Sequence, residues 1–448
     1  MPVFPIRHSG SRADSWHFGM FFEASAGWLT VEAASPDSLH SLRSLPDTLE
    51  AVVGSSVTQT RNPARQQPEW ADPFQAERVR TILAERPPLV RAEDVRGLGD
   101  QLAGVARGEA HVLQAGDCAE HPDECTAGHV SRKSALLHLL GDTLQAATGK
   151  PVVRVGRIAG QFAKPRSHRV EPVDGVDLPV YRGHMVNAPT RDLAARRHDP
   201  LRMLMAYRAA HDVMEHLGWR GPAGDSHHPG TGTSLPTWTS HEALVLDYEF
   251  PLVRDLDDGQ RLLGSTHWPW IGKRTHQLDG AHIDLISEVL NPVAVKVGPT
   301  TTPADLTALC ARLDPQRRPG RLTLIARMGA DAAGSCLAPL VRTVHRAGHP
   351  VIWLCDPMHG NTVTAPDGHK TRLLPTMAEE VQAFCRAVTF AGGIAGGLHL
   401  EATPDDVTEC APDFRALDSP TVSRTTLCDP RLNPEQAVSL VSLWRQDP

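Results

Sequence analysis

The sequence predicts an α/β protein, a (β/α)8 TIM barrel carrying an N-terminal extension. Three observations lead there. Eight short apolar or β-branched runs are spread between His111 and Glu401. Segments with helical spacing lie between most of them. Residues able to do chemistry gather at the C-terminal ends of the runs, where a barrel keeps its catalytic face. A doubly wound open sheet is the competing arrangement, but a single site drawn from six strand ends favours the closed barrel.

In chain order, residues 1–75 read as the extension. Trp16–His17–Phe18 and Met20–Phe21–Phe22, then SPDSLHSLRSLPD, alternate aromatic patches with turn and cap residues, which suits packing on the body or on a neighbouring subunit. Residues 76–448 read as the catalytic barrel. Its strands are expected at His111–Ala115, Val152–Val155, Leu244–Tyr248, Ser265–Ile271, Val293–Val297, Leu322–Ala326, Val351–Leu354 and Gly397–Glu401. Amphipathic spacing marks helices at Ala304–Leu313, Leu337–Ala347 and Thr376–Val388, the last opening on a Thr376/Glu379 capping box. The stretch Gly221–Pro236 reads as one exposed loop, with His227 and His228 solvated in it. The glycines of FAGGIAGG (Phe390–Gly397) have neither the GxGxxG nor the P-loop pattern, so close packing explains them better than phosphate binding.

Composition narrows the function. The 448 residues are 41% hydrophobic and 22% charged, enough for a large buried core. A net charge of −7 leaves no basic surplus for a nucleic-acid backbone. No apolar run approaches the ~20 residues of a membrane span, and the first residues have no secretory apolar stretch. A cytoplasmic protein with neither nucleic acid nor membrane as partner is expected. The eight cysteines form no CxxC pair, which argues against a zinc ribbon or a disulfide scaffold and for reduced thiols.

Two groups of residues carry the chemistry. Cys118, His359, Glu401 and Asp429 offer a thiolate, an imidazole and two carboxylates, a set that can hold Mn²⁺, Co²⁺, Fe²⁺ or Zn²⁺ without choosing among them. The alternative is a buried Cys, a loop His and two surface carboxylates. Cys428 beside Asp429 could pair oxidatively with Cys118, although plain proximity is the simpler account. The second group is cationic: Arg157, Lys164, Arg166, Arg274, Lys296 and Arg327. Cations at the ends of apolar strands are costly unless an anion meets them, and phosphorylated substrates or barrel carboxylates would both serve. In SHEALVLDYE (Ser240–Glu249) a strand with packing is expected, with Glu242 the residue of interest.

Together the strings QAGDCAE, GRIAGQFAKPRS, YRGHMVN, TSHEAL, WIGKRTHQLDGAH, NPVAVKVGP, LIARMG, DPMHGNT and DVTEC, running from ARQQPEWADP to DPRLNPEQA, resemble the type II 3-deoxy-D-arabino-heptulosonate 7-phosphate (DAHP) synthases. The resemblance implies a (β/α)8 barrel that condenses phosphoenolpyruvate with erythrose 4-phosphate. It implies a divalent metal, Mn²⁺ ahead of Co²⁺, Fe²⁺ or Zn²⁺, on Cys118, His359, Glu401 and Asp429. Phosphoenolpyruvate would meet Arg157, Lys273, Arg274, Lys296 and Arg327, and the aldehyde's phosphate would meet Lys164, Arg166 and Ser167. Lys164, with His359 as the other candidate, would protonate the forming alkoxide, and the protein would be a homodimer or homotetramer.

Three features depart from the family pattern. Lys273 replaces the glutamate of W-x-G-E-R-T, and His184 replaces the aspartate of YRGD. The segment from Gly218 to Thr239 is too short for the paired feedback helices of long members, so insensitivity to Phe and Trp is expected. The departures keep open two alternatives: condensation with another aldehyde such as an amino sugar phosphate, or a catalytically silent barrel acting as a partner.

Overall fold

The computed structural model describes residues 62–173, 175–219, 236–418 and 423–444. Most of the expected extension, and most of the expected loop with His227 and His228, lie outside the described residues. The strands β1 (His111–Gly116), β2 (Val152–Arg157), β3 (Trp238–Glu242), β4 (Trp268–Ile271), β5 (Val293–Val297), β6 (Leu322–Ala326), β7 (Ile352–Cys355) and β8 (Ile394–Glu401) close into a barrel in sequence order, β8 pairing with β1. Every neighbouring pair is parallel. Helices α1 (Pro73–Glu85) and α2 (Ala92–Ala106) precede β1. The major helices that follow are α3 (Ala127–Thr148), α4 (Leu201–His216), α5 (Ala281–Ser287), α6 (Pro303–Leu313), α7 (Ala330–Arg346), α8 (Leu374–Phe390) and α9 (Pro434–Ser442).

Strand periodicity explains the layering. In β5 the alternate residues Val293, Val295 and Val297 join Leu306, Leu309 and Leu313 of α6 in one buried cluster, which leaves Ala294 and Lys296 on the lumen side. The glycines of β8 allow strands to approach closely. A Cβ on Gly397, at φ +141, would stand 1.9 Å from the Val112 carbonyl oxygen, and one on Gly396 would stand 2.3 Å from Ile352 Cγ2.

Several element boundaries differ from expectation: α7 starts at Ala330, seven residues before the expected Leu337, and β8 starts at Ile394, three before the expected Gly397. The third strand is Trp238–Glu242, whereas Leu246–Glu249 is a single helical turn. The apolar run ALVLDY imitates a buried strand, while the true strand turns Ser240 and Glu242 into a polar lumen. Helix α8 starts at Leu374 with Pro375 in its first turn, and no side chain caps it; proline at the start of a helix needs no amide partner. Thr376 therefore lies inside the helix. The fourth strand starts at Trp268, three residues later than expected.

Candidate active site

Register brings the first two charges together. Gly116 ends β1 and pairs with Glu401 on one side and with Arg157 on the other. Gly116 has φ +147, and a Cβ there would lie 2.8 Å from the Arg157 carbonyl oxygen, so only glycine fits between the two. Across it Arg157 donates to Glu401 Oε1 at 2.9 Å. Arg157 also donates to the Asp117 carbonyl at 3.1 Å and to His399 Nε2 at 2.9 Å. The other ring nitrogen of His399 faces Gln114 Oε1 at 2.6 Å. Burial, with Lys296 and Arg157 nearby, holds His399 well below its ordinary pKa, so the ring is neutral, with the proton on Nδ1.

His359 is fixed from below. Asp356 Oδ1 accepts the backbone N–H groups of Met358 and His359, both at 3.1 Å, and Oδ2 lies 2.8 Å from His359 Nδ1. That leaves Nε2 facing Glu401 Oε1 at 3.2 Å. Asp429 arrives on the segment after residue 423. Buried Glu409 holds that segment by accepting the backbone N–H of Thr425, Thr426 and Arg431 at 3.0, 2.8 and 2.8 Å. Donor atoms of His359, Glu401 and Asp429 all lie within 4.8 Å of one another. Cys118, the fourth expected ligand, stands at the edge of this group, its Sγ accepting from Asp429 N at 3.4 Å and lying 3.3 Å from Thr426 Oγ1. Its thiol is free, as is that of Cys428. A hydrogen bond from Cys428 lowers the Cys118 pKa to about 7, against burial and with help from Lys164.

Cations surround the carboxylates. Glu401 is also met by Lys164 at 3.4 Å on Oε1 and by Arg372 at 2.8 Å on Oε2. Asp429 is met by Lys164 at 3.2 Å and Lys370 at 3.1 Å. Burial opposes the charge on Glu401, but His359, Lys164, Arg372 and Arg157 outweigh it and keep the carboxyl well below its usual range. Lys296 donates to Asp356 Oδ2 at 2.9 Å, while burial drives its pKa to about 8 despite Asp356. Arg157, Lys164 and Lys296 are thus paired with carboxylates inside the barrel.

The remaining expected substrate residues behave differently: among the described residues, Arg166, Lys273, Arg274 and Arg327 have no carboxylate within 4.0 Å. Arg327 donates to the His359 carbonyl at 2.7 Å. Arg274 donates to Ser167 Oγ at 2.7 Å, which joins residues expected at two different substrates. Arg166, Ser167, Arg169, Arg182, Arg197 and Arg65 line a cavity of about 880 Å³. At its wall Gln66, in the left-handed region at φ 63, takes the Arg166 N–H on its side chain and an Arg182 N–H on its carbonyl. His184 packs edge-on against His121 at 4.3 Å between ring centroids. Burial, together with His121 and Arg202, lowers its pKa to about 4, so a neutral ring stands where the resemblance implies a carboxylate.

Sequence reasoning missed several of these residues. Arg372 and Lys370 come from the hairpin Thr362–Thr364/Lys370–Arg372, whose polar strands carry no periodic signal. Glu120 lies within QAGDCAE, yet its work is visible only in space: it accepts the backbone N–H of Ala159, Gly160 and Gln161. Glu242, singled out from the sequence, presents an enclosed Oε1 with no hydrogen-bond partner. Burial raises its pKa, against Lys296, Lys164, His359 and Arg157.

One imidazole with its second nitrogen anchored and two carboxylates, with a thiol alongside, fit a divalent transition ion. The model of the class-II DAHP synthetase family matches residues 55–224 and 220–444. A probable phospho-2-dehydro-3-deoxyheptonate aldolase of Pseudomonas fluorescens is 56% identical over 385 residues, 86% of this chain and 95% of that protein. The phospho-2-dehydro-3-deoxyheptonate aldolase of Streptomyces coelicolor is 41% identical over 427 residues, covering 85% and 94%. That of Mycolicibacterium smegmatis is 39% identical over 455 residues, covering 91% and 97%. With the match running through every strand that supplies the site, the chain belongs to the class-II DAHP synthetase family.

Proposed function

We propose that this chain condenses phosphoenolpyruvate with erythrose 4-phosphate, releasing DAHP and inorganic phosphate. One observation carries the reading: metal-type donors from His359, Glu401 and Asp429 share the barrel mouth with four cations that no described carboxylate meets at ion-pair distance. A site built that way suits two anionic substrates and one oxygen to be polarised. The relatives, all named for the heptonate product, favour erythrose 4-phosphate over another aldehyde and favour turnover over a silent barrel.

His359, Glu401, Asp429 and Cys118 would hold a divalent ion, proposed as Mn²⁺, with Co²⁺, Fe²⁺ and Zn²⁺ suited to the same donors. Such an ion supplies Lewis-acid polarisation of the aldehyde oxygen. Arg157, Lys273, Arg274, Lys296 and Arg327 hold phosphoenolpyruvate, and Arg166 and Ser167 hold the aldehyde's phosphate, keeping C3 of one against the carbonyl carbon of the other. Lys164, bridging Glu401 and Asp429, donates the proton the new alkoxide takes up. Water then adds at C2, its proton passing to Glu242, whose Oε1 carries no hydrogen bond and whose carboxyl feels the charge of these cations. Collapse of the hemiketal expels phosphate. A cytoplasmic setting belongs to the same proposal, because both substrates are phosphorylated and do not cross a bilayer unaided. So does a homo-oligomer, which the exposed Phe74 and Phe390 would suit.

The experiment is phosphate release with both substrates, added Mn²⁺ and a chelator control. Release that needs both substrates and stops with chelation is expected; no release with erythrose 4-phosphate defeats the reading.

A further inference from the structure

Lys273 stands where the family pattern has a glutamate, and its surroundings give the ammonium a use. It follows β4 through Gly272, and its Nζ donates to Thr301 Oγ1 at 2.9 Å and to His276 Nε2 at 3.2 Å. Thr301 Oγ1 in turn accepts from Gly298 N at 3.2 Å, just past the end of β5. His276 is neutral, its pKa lowered to about 4 by burial and by Lys273 itself. Both partners therefore orient the ammonium without neutralising it.

Arg327 reaches the same place from the end of β6. A Cβ on Gly298 would stand 3.6 Å from both Lys273 Cε and Arg327 Nη1. The ion pairs nearby belong to Glu401 and Asp356, not to these two cations. Burial and Arg327 make the charge on Lys273 less favourable, and the Asp305 carboxylate, beyond ion-pair distance, only partly offsets them. Two half-buried cations that repel each other gain most from a shared dianion, and the attraction is strong where water is partly excluded.

We propose that Lys273 binds substrate through its side chain, forming with Arg327 a two-cation grip on the phosphoryl dianion of phosphoenolpyruvate. This rests on the functional reading above and extends it, since a glutamate at this position would repel the same group. Lys273 is thus an affinity residue rather than a tolerated departure.

The test is equilibrium binding of phosphoenolpyruvate to the full chain by calorimetry, with Mn²⁺ present and no aldehyde, alongside melting curves. K273M should weaken binding about ten-fold, as expected for one charge-assisted bond, and K273E should weaken it more. K273R should keep most of the affinity. Inorganic phosphate should compete with phosphoenolpyruvate in the native chain and compete less in K273M. T301V, which removes the brace but not the charge, should bind within about two-fold of the native chain. Unchanged affinity in K273M, or an equal loss in T301V, would overturn the proposal and leave Lys273 as a brace. A folded native chain that binds no phosphoenolpyruvate at all would instead sink the functional reading, and the grip with it.

Discussion

Glu401 Oε2 accepts from Arg372, while Oε1 is shared by Arg157, Lys164 and His359. A carboxylate divided in this way has its plane fixed before any ion arrives, as Asp356 fixes the ring of His359. Outer contacts of this kind typically change metal affinity by about 10–100-fold when removed. R372M and D356A should each weaken Mn²⁺ binding in that range, read from titrations in chelator-buffered metal, and D356A should also weaken phosphoenolpyruvate binding, because burial without Asp356 leaves Lys296 less able to keep its proton. At this scale the sequence was most informative where a residue's chemistry is unusual for its position. Arg157, Lys296 and Glu401 were conspicuous as charges ending apolar strands. Arg372 was not, because an arginine in a polar hairpin looks like any surface arginine until the hairpin folds over the barrel mouth.

Elements meet the site through buried carboxylates that gather backbone amides, as Asp356 does for the His359 loop. Glu120 holds the loop after β2, and Glu409 holds the segment carrying Asp429. Glu380 of α8 accepts from Met328 N and Gly329 N, each at 2.9 Å, and from Asn361 at 2.6 Å, tying the Arg327 loop to the His359 loop. Glu409 has the largest stake, since it also pairs with the buried guanidinium of Arg431, which reaches on to Asp117 at 2.6 Å. E409A leaves that charge half-compensated, a change that typically costs about 3–5 kcal/mol. Chemical denaturation should show a loss of that order, and amide exchange should quicken from residue 423 to 431. Such loops were invisible in advance: a glutamate that folds a loop by accepting its amides has no sequence period. The third strand failed for a related reason. Its inward positions are polar because they line the site, so an apolar search slid six residues along the chain.

At the scale of the molecule, the barrel, its strand order and the end that carries the site were readable, because seven of eight strands fall on the short, mostly apolar runs of a buried parallel sheet. The pH response follows from the burial that made them so. His267 is pushed down to about 3 and His111 to about 4 by burial, and His184 and His276 to about 4 by burial and neighbouring charges. Below about pH 6.5 the unfolded chain takes up protons that these native rings refuse, so stability falls as the pH drops from there towards 4. The ion-paired carboxylates Asp356 and Glu401, held below their usual range, act in the same direction at lower pH. Folding stability should therefore decline from pH 7 to pH 5 by on the order of 1–3 kcal/mol for each of these rings, and the melting temperature with it; a flat profile across that window would contradict the assignment. The short Gly218–Thr239 segment, most of it outside the described residues, keeps its expectation: millimolar Phe or Trp should leave the rate unchanged, and clear inhibition by either would show a feedback site elsewhere.

The seam between β1 and β8 has a consequence for how the protein is made. Val112 pairs with Gly397, so β1 leaves the ribosome roughly 290 residues before its last neighbour, a wait of about 15–60 s at ordinary translation speeds. Throughout that interval one edge of β1 is open to other nascent strands, and Cys118 has none of His359, Glu401 or Asp429 beside it. Ring closure and metal capture are therefore both late events, completed only after Asp429 has been synthesised. Slowing translation after β7 should lengthen the exposure of that edge and lower the yield of closed barrel, whatever the supply of metal.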